Sequence, residues 1–146
     1  MKFLVVATAL LALASGQTPS PNKKECHCGV FISTQTGEIE IHRMKAIDLE
    51  SCDEMDVCLA GCSEMWANRA GGGDLDAELD NGKTLGTELC HGADNLEHPE
   101  VHHAIPMVYA RTCDGGWTPT GDQASDYLCC HKGEQVECGQ HTKPPM

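Results

Sequence analysis

Residues 53–69 have the sequence DEMDVCLAGCSEMWANR, in which apolar side chains recur at steps of three and four residues. The recurring positions are Met55, Cys58, Leu59, Cys62, Met65, Trp66 and Arg69. This spacing predicts a helix with these side chains on one face. Ser51 is the predicted N-cap, and Asp53 and Glu54 suit the first turn because the helix dipole favours acidic residues there. The glycines at 71–73 predict the end of the helix.

Two cysteines of this helix cannot bond to each other without strain. Cys58 and Cys62 lie one turn apart, with about 6 Å between Cβ atoms, whereas a disulfide needs roughly 4 Å. Cys26 and Cys28, in an extended segment, point to the same face at an interval of about 6.6 Å. The matching intervals predict that at least one helix cysteine bonds to Cys26 or Cys28.

A competing pairing uses the adjacent cysteines near the end of the chain. Cys129 and Cys130 face opposite sides of a strand, so they need different partners. In the alternative, these two bond to both helix cysteines and leave the N-terminal pair to the cysteines of the loops.

The N-terminus predicts export from the cell. Lys2 is followed by an apolar run over residues 3–13 and by the small residues Ala14, Ser15 and Gly16. This order is typical of a secretory signal peptide. We therefore expect a signal peptide at 1–16, a flexible arm at 17–25, a single disulfide-rich domain at 26–138 and a flexible tail at 139–146.

An even number of cysteines behind a signal peptide predicts five disulfides. The ten are Cys26, Cys28, Cys52, Cys58, Cys62, Cys90, Cys113, Cys129, Cys130 and Cys138. Aromatic residues make up only 4% of the chain, so cross-links are expected to replace part of a hydrophobic core.

The excess of acidic residues makes some classes of binding partner unfavourable. The chain has 22 acidic and 10 basic residues and a formal net charge of −12. Such a chain is a poor ligand for nucleic acid or for anionic membrane surfaces. We expect no nucleic-acid partner and no membrane partner.

The remaining chain predicts short strands. Residues 28–43 are apolar and then alternate around a turn, which indicates a β-hairpin. Residues 104–113 and 127–130 indicate two further strands. A turn is predicted between these strands at 119–121, and another follows the second strand at Gly133. Residues 71–100 show no regular pattern. The predicted fold class is α+β, a small disulfide-rich domain with two β-hairpin-like units and one helix.

Three histidines are the candidate metal ligands. His98, His102 and His103 would place two imidazoles on one face if the segment were helical, which is a known metal-ligand spacing. Pro99 lies inside the segment, and surface histidines on a polar loop are the alternative that we favour.

The sequence patterns that would indicate a calcium site or a catalytic nucleophile are incomplete. The acidic run Asp74, Asp76, Glu78 and Asp80 lacks the glycine and the glutamate of an EF-hand, so it predicts a solvated loop. The sequence has no nucleophile elbow, and cysteines in disulfides supply no thiolate. We expect no catalytic residues, no cofactor and no bound metal.

The start Cys26-x-Cys28-Gly29-Val30-Phe31 resembles that of the arthropod follicle cell proteins, which are small secreted cysteine-rich chains. The segment Cys52…Cys58-x-x-x-Cys62 and Trp117 followed by Cys129-Cys130 add to the resemblance. The resemblance implies secretion and a role in the eggshell or the extracellular matrix, without a known enzymatic mechanism.

The function expected from the sequence is that of a secreted, non-enzymatic structural or interaction protein with an extracellular protein or matrix partner. A defence effector or protease inhibitor is the first alternative. A secreted metal-binding protein that uses His98–His103 is the second.

Overall fold

The computed structural model describes residues 23–139 of the chain. The predicted signal peptide at 1–16, most of the arm at 17–25 and nearly all of the tail lie outside the described residues. The strands are β1 (Glu25–Thr34), β2 (Gly37–Arg43), β3 (Ile47–Asp48), β4 (Val101–Ala104), β5 (Met107–Thr112), β6 (Thr118–Gln123), β7 (Leu128–His131) and β8 (Glu134–Val136). The helices are α1 (Met55–Arg69) and α2 (Leu85–Asn95). The fold is a small, disulfide-rich α+β fold, as predicted, but residues 23–139 contain two α-helices where the sequence predicted one.

The larger sheet has five antiparallel strands in the order β2-β1-β5-β6, with β3 paired to the start of β1. The β1–β2 hairpin confirms the prediction for residues 28–43. Cys26, Cys28, Val30 and Ile32 are buried on one face of β1, because alternate residues of a strand share a face.

Helix α1 packs on this face and is joined to β1 by two disulfides. Cys26 bonds to Cys58 and Cys28 to Cys62, with Cα–Cα distances of 5.4 and 5.5 Å. The prediction that a helix cysteine bonds to Cys26 or Cys28 is confirmed, and the competing pairing with Cys129 and Cys130 is wrong. We call these two bridges the clamp.

The predicted N-cap of α1 is wrong. The helix begins at Met55 and its N-cap is Glu54, whose side chain makes no capping bond. Ser51 Oγ instead accepts a hydrogen bond from the N–H of Asp53 at 3.1 Å, in the turn before the helix. Ser51 lies before the actual N-cap, and its hydroxyl binds a backbone N–H of the preceding turn, so it does not cap α1. The end is as predicted, since the glycine turn Gly71–Gly73 follows immediately.

Helix α2 lies in the segment for which the sequence predicted no regular structure. The hydroxyl of its N-cap Thr84 accepts a hydrogen bond from the N–H of Thr87 at 3.1 Å. One face of the helix is buried and includes Leu85, Leu89 and Ala93. The helix packs between β2 and the smaller sheet, which has the order β4-β7-β8.

A glycine allows α2 to approach β2 closely. A Cβ atom at Gly92 would overlap the backbone carbonyl oxygen of Ile41. Any larger residue at this position would therefore push the helix away from the five-stranded sheet.

Strand β6 corrects a second prediction. Residues 119–121 were expected to form a turn, but they lie in a strand that pairs with β5, with Pro119 opposite Tyr109. Strand β6 is at the edge of the sheet, where a proline is tolerated because one side of the strand needs no hydrogen bonds. The strand predicted for 104–113 is also shorter, since Ala104 ends β4 and the next strand begins at Met107.

The core is continuous through both sheets and includes disulfide sulfurs among aliphatic side chains. Leu85, Leu89, Leu128, Val30 and Val108 are fully buried together with most of the cysteines. Neither helix within residues 23–139 has the length and hydrophobicity that crossing a membrane requires.

Candidate functional site

The face of the large sheet opposite α1 carries a cluster of aromatic and arginine side chains. Because Cys26 and Cys28 point to α1, the alternate residues His27, Gly29 and Phe31 lie on the other face. The register places His27 opposite Arg111 and Gly29 opposite Tyr109. We call the group of Phe31, Tyr109, Trp117, Arg43 and Arg111 the aromatic–arginine cluster.

Phe31 is at the centre of the cluster. Its ring lies edge-on to Tyr109, with centroids 4.8 Å apart, and edge-on to Trp117, with centroids 5.0 Å apart. Aromatic pairs in this geometry contribute about 0.5–1.5 kcal/mol beyond the burial of their surface. Phe31 is itself only 9% exposed, whereas Tyr109 and Trp117 are partly exposed. The cluster is therefore anchored inside and reaches the protein surface.

Two guanidinium groups lie against the Trp117 ring. The Cζ atoms of Arg111 and Arg43 are 4.8 and 5.2 Å from the ring centroid, which is the distance of a cation–π interaction. The two arginines differ in their partners. Arg43 forms a two-point ion pair with Glu40. Arg111 forms no ion pair with any carboxylate of residues 23–139, and its enclosed Nε has no hydrogen-bond acceptor there.

Gly29 makes room for this arrangement. A Cβ atom at Gly29 would lie 2.6 Å from Glu40 Oε2 and 3.0 Å from Phe31 Cε1. The first distance is shorter than real Cβ contacts and the second is tight, so a side chain here would require the Glu40 carboxylate, the partner of Arg43, to shift.

The arginines of the cluster act on a neighbouring histidine. Burial lowers the pKa of His27, and the charges of Arg43 and Arg111 lower it further, against the opposing effect of Glu25. At the far side, the Tyr109 hydroxyl donates a hydrogen bond to Glu38 Oε2 at 2.6 Å, and this bond raises the pKa of Tyr109. The surface therefore combines two guanidinium groups with the carboxylates of Glu38 and Glu40.

The histidines that the sequence selected do not form a helical pair. His98 follows α2, and His102 and His103 lie in β4, so the helix that would have placed two imidazoles on one face, which the sequence analysis did not favour, does not form. Pro99 lies between the helix and the strand. His102 is exposed.

His103 also departs from the expected polar surface loop. The imidazole ring lies edge-on to Tyr127, with centroids 5.5 Å apart, and the backbone N–H of His103 donates a hydrogen bond to Cys129 Sγ. Its ring is close to the sulfurs of Cys129 and Cys138, but these two sulfurs bond to each other.

The acidic run is exposed, as the sequence predicted for a solvated loop. Asp74, Asp76, Glu78 and Asp80 are all exposed. Asp74 Oδ1 accepts a hydrogen bond from the N–H of Asp76 at 2.9 Å, which is a turn contact.

All ten cysteines are bonded in pairs. Besides the clamp, the structure joins Cys52 to Cys113, Cys90 to Cys130 and Cys129 to Cys138. The neighbours Cys129 and Cys130 thus take different partners, as their opposite orientation predicts. No cysteine is free to act as a thiolate nucleophile.

In comparisons with known proteins, no family model, no curated protein and no solved structure matches this chain. The candidate site therefore stands on its geometry. Sequence analysis named Phe31 and Trp117 only for a family resemblance, and it missed Arg43 and Arg111. In β5 the alternation of Arg111 with buried residues was an available signal. Arg43 gave none, because it lies two residues after buried Ile41 and follows an irregularity in the β1–β2 register.

Proposed function

We propose that this chain is a secreted, non-enzymatic protein that binds an extracellular partner through the aromatic–arginine cluster. The observation that carries the proposal is Arg111, a cation held against Trp117 without a carboxylate partner in residues 23–139. A cation at this site costs stability through desolvation, and a partner carboxylate would repay that cost.

The chemistry of the cluster favours a carboxylate from a protein partner. A guanidinium forms two parallel hydrogen bonds with a planar carboxylate, and its flat face remains on the aromatic ring. The whole chain repels long polyanions because its net charge is −12. Screening limits this repulsion to about 8 Å at physiological ionic strength, so a single carboxylate at the cluster is attracted and a polysulfated chain across the surface is not.

Secretion and a matrix role complete the proposal. Five disulfides fit an oxidising compartment. The resemblance to follicle cell proteins supports an eggshell or extracellular-matrix location. A structural or interaction role fits a cluster placed on a sheet that two disulfides join to α1.

Secretion can be tested with the full-length chain in cultured animal cells. We expect the protein in the medium, with all cysteines oxidised, and we expect intracellular retention when residues 2–16 are deleted. Full-length protein that stays in the cytoplasm with labelled thiols would contradict the proposal.

The binding surface can be tested by site-specific photocross-linking. A photoreactive phenylalanine replaces Gly116, which is exposed next to Trp117 and has open space at its Cβ position. The matched control carries the same group at Val57, which is 46% exposed on α1. In an extract of extracellular matrix from the producing tissue, we expect a defined protein adduct only from position 116.

The adduct should disappear in Arg111→Gln and in the presence of poly-L-glutamate. Equal adducts from both positions, or none, would contradict the proposal. Competition by heparin but not by poly-L-glutamate would point to a sulfated polysaccharide and would also contradict it.

A further inference from the structure

A second site lies at the Cys129–Cys138 bridge, beside the smaller sheet. Cys129 Sγ lies 4.0 Å from His103 Nδ1 and accepts a hydrogen bond from the backbone N–H of His103. One ring nitrogen of His103 and the sulfurs of Cys129 and Cys138 all lie within 4.8 Å of one another. Imidazole nitrogen and thiolate sulfur are the ligands that zinc prefers in proteins. The group would therefore offer three zinc ligands if the disulfide were open.

The Cys129–Cys138 bridge is one of two that reach the protein surface. The six cysteines of the clamp and of the Cys90–Cys130 bridge are at most 1% exposed. Cys138 is partly exposed and lines a surface groove. The other bridge at the surface, Cys52–Cys113, belongs to no group of three close metal ligands within residues 23–139. Of the bridges that a reductant can approach, only Cys129–Cys138 therefore has a further metal ligand beside it in this part of the chain.

The same bridge closes the shortest loop of the five. Its two cysteines are 9 residues apart in sequence, whereas the separations of the other four lie between 32 and 61. In the chain-entropy model, a bridge that closes a shorter loop stabilises the fold less. The fold therefore loses least when this bridge is opened. A dithiol can open it by giving two electrons and two protons to the two sulfurs, and the dithiol itself becomes a disulfide.

The groove beside the bridge is acidic. Asp76, Asp126 and Glu137 line it together with His103 and Cys138, and all three carboxylate residues are exposed. Their charges attract a divalent cation. The choice of metal comes from the other ligands, because calcium and magnesium require oxygen ligands, whereas thiolate and imidazole suit zinc.

We propose that a dithiol converts the Cys129–Cys138 bridge into a zinc site, in which both sulfurs and His103 Nδ1 bind one Zn²⁺. Zinc displaces the two thiol protons, since only a thiolate is a ligand. Three protein ligands leave a fourth position for water. The oxidised protein has no thiolate to offer there, so zinc binding depends on the redox state. The proposal does not rest on the function of the aromatic–arginine cluster.

Reduction without denaturant tests the first step. The oxidised protein is treated with dithiothreitol, alkylated with iodoacetamide and digested. We expect label on Cys129 and Cys138 while the clamp and the Cys90–Cys130 bridge stay unlabelled. Labelling of the clamp as early as that of Cys129 and Cys138 would overturn the proposal.

Metal titration tests the second step. Protein reduced in this way is freed of dithiothreitol, which itself binds zinc, and is titrated with Zn²⁺ against a chromophoric chelator. We expect uptake of one Zn²⁺ per chain after reduction and none before it. With Co²⁺ in place of Zn²⁺, a thiolate-to-cobalt charge-transfer band should appear in the near ultraviolet. No uptake after reduction, or equal uptake before and after it, would overturn the proposal.

Two pairs of variants locate the site. His103→Asn removes the imidazole, and asparagine suits the left-handed backbone of this residue, where φ is 53°. Its matched control is His102→Asn, at the exposed neighbouring position of β4. Loss of an outer-shell partner alone weakens metal binding about 10–100-fold, so loss of a ligand should weaken it at least about tenfold. The control should bind Zn²⁺ as the parent protein does.

The second pair serves if His103→Asn fails to fold. Cys138→Ser removes one sulfur of the site, and Cys52→Ser opens the other bridge at the surface. After reduction, only Cys138→Ser should lose zinc binding. Equal affinities within either pair would overturn the proposal.

Discussion

The molecule has two units that are stabilised in different ways. The clamped unit, formed by α1 and the five-stranded sheet, contains three bridges with sequence separations of 32, 34 and 61 residues. The second unit, formed by α2 and the three-stranded sheet, contains two, with separations of 40 and 9 residues. None of the five bridges joins one unit to the other. The units are held together by the backbone and by their shared hydrophobic core, which includes the packing of α2 on β2.

This difference distinguishes the stability that disulfides contribute within each unit from the stability that packing contributes between the units. Within each unit the bridges restrict the unfolded chain, which is their main effect in the usual model. Between the units the stability depends on close contacts such as that of Gly92 with Ile41. The following substitutions separate the two contributions, beginning with the largest expected effect.

Removing the whole clamp should destabilise the clamped unit most. Replacing Cys26, Cys28, Cys58 and Cys62 by Ala opens a loop of more than 30 residues and should cost roughly 4–6 kcal/mol. Such a cost is a large part of a typical total stability of about 5–15 kcal/mol. Replacing only Cys28 and Cys62 should cost roughly 2–3 kcal/mol, because the remaining bridge closes nearly the same loop. Urea unfolding of each variant measures the costs, and equal costs would contradict the idea that the two overlapping bridges close nearly the same loop.

Substitution at the contact between the units comes next. Gly92→Ala should cost about 3 kcal/mol, because the added Cβ overlaps a backbone oxygen that cannot move away cheaply. Hydrogen exchange should increase in α2 more than in β1. The control is Gly116→Ala, where the Cβ meets no atom within 4 Å. Similar stabilities for the two variants would show that the units do not depend on this approach.

The short bridge of the second unit should matter less than the clamp. Replacing Cys129 and Cys138 by Ser opens a loop of about ten residues, worth roughly 2–3 kcal/mol in the same model. We expect β7 and β8 to lose protection from hydrogen exchange while β1 retains it. Loss of protection across both sheets would mean that the units unfold as one.

The smallest expected effect is a pH dependence that arises from two histidines of the clamped unit. The pKa values of His27 and His42 are lowered in the folded state, mainly by burial. The unfolded chain therefore binds more protons below about pH 6.5, and stability falls as the pH decreases. Between pH 7 and pH 5 we expect His27→Gln to flatten this dependence by less than about 1 kcal/mol. His102→Gln, an exposed position in the second unit, is the control, and an equal flattening there would contradict the assignment.

The clamped unit was largely predictable because its signals are local. The period of α1, the alternation in β1 and β2, and the cysteine intervals each require only a short window of sequence. Cys58 and Cys62 even predicted their bonding to β1, since regular elements fix the distances between side chains. The prediction of Ser51 as the N-cap was wrong because the side chains of Ser51 and Glu54 both accept hydrogen bonds from backbone N–H groups of the turn before the helix.

The second unit and the candidate site depend on distant contacts. Helix α2 contains Gly86 and Gly92, which weaken a helical pattern but fit against Gln135 and Ile41 in the folded chain. The sequence of β6 predicted a turn because it contains Pro119, and a strand tolerates proline only at the edge of a sheet. The aromatic–arginine cluster combines side chains from β1, β2, β5 and the segment before β6, and no local pattern brings them together.

The pattern of bridges also limits how far the chain can be stretched. A pull applied between Cys26 and Cys138 passes through the Cys26–Cys58 bridge, the segment 52–58, the Cys52–Cys113 bridge, the segment 113–129 and the last bridge. Even with all packing lost, this path extends to only about 90 Å, at roughly 3.5 Å per residue. The reduced chain would reach about 400 Å between the same residues. Under tension, the oxidised chain would therefore extend to less than about a quarter of the length that the reduced chain reaches.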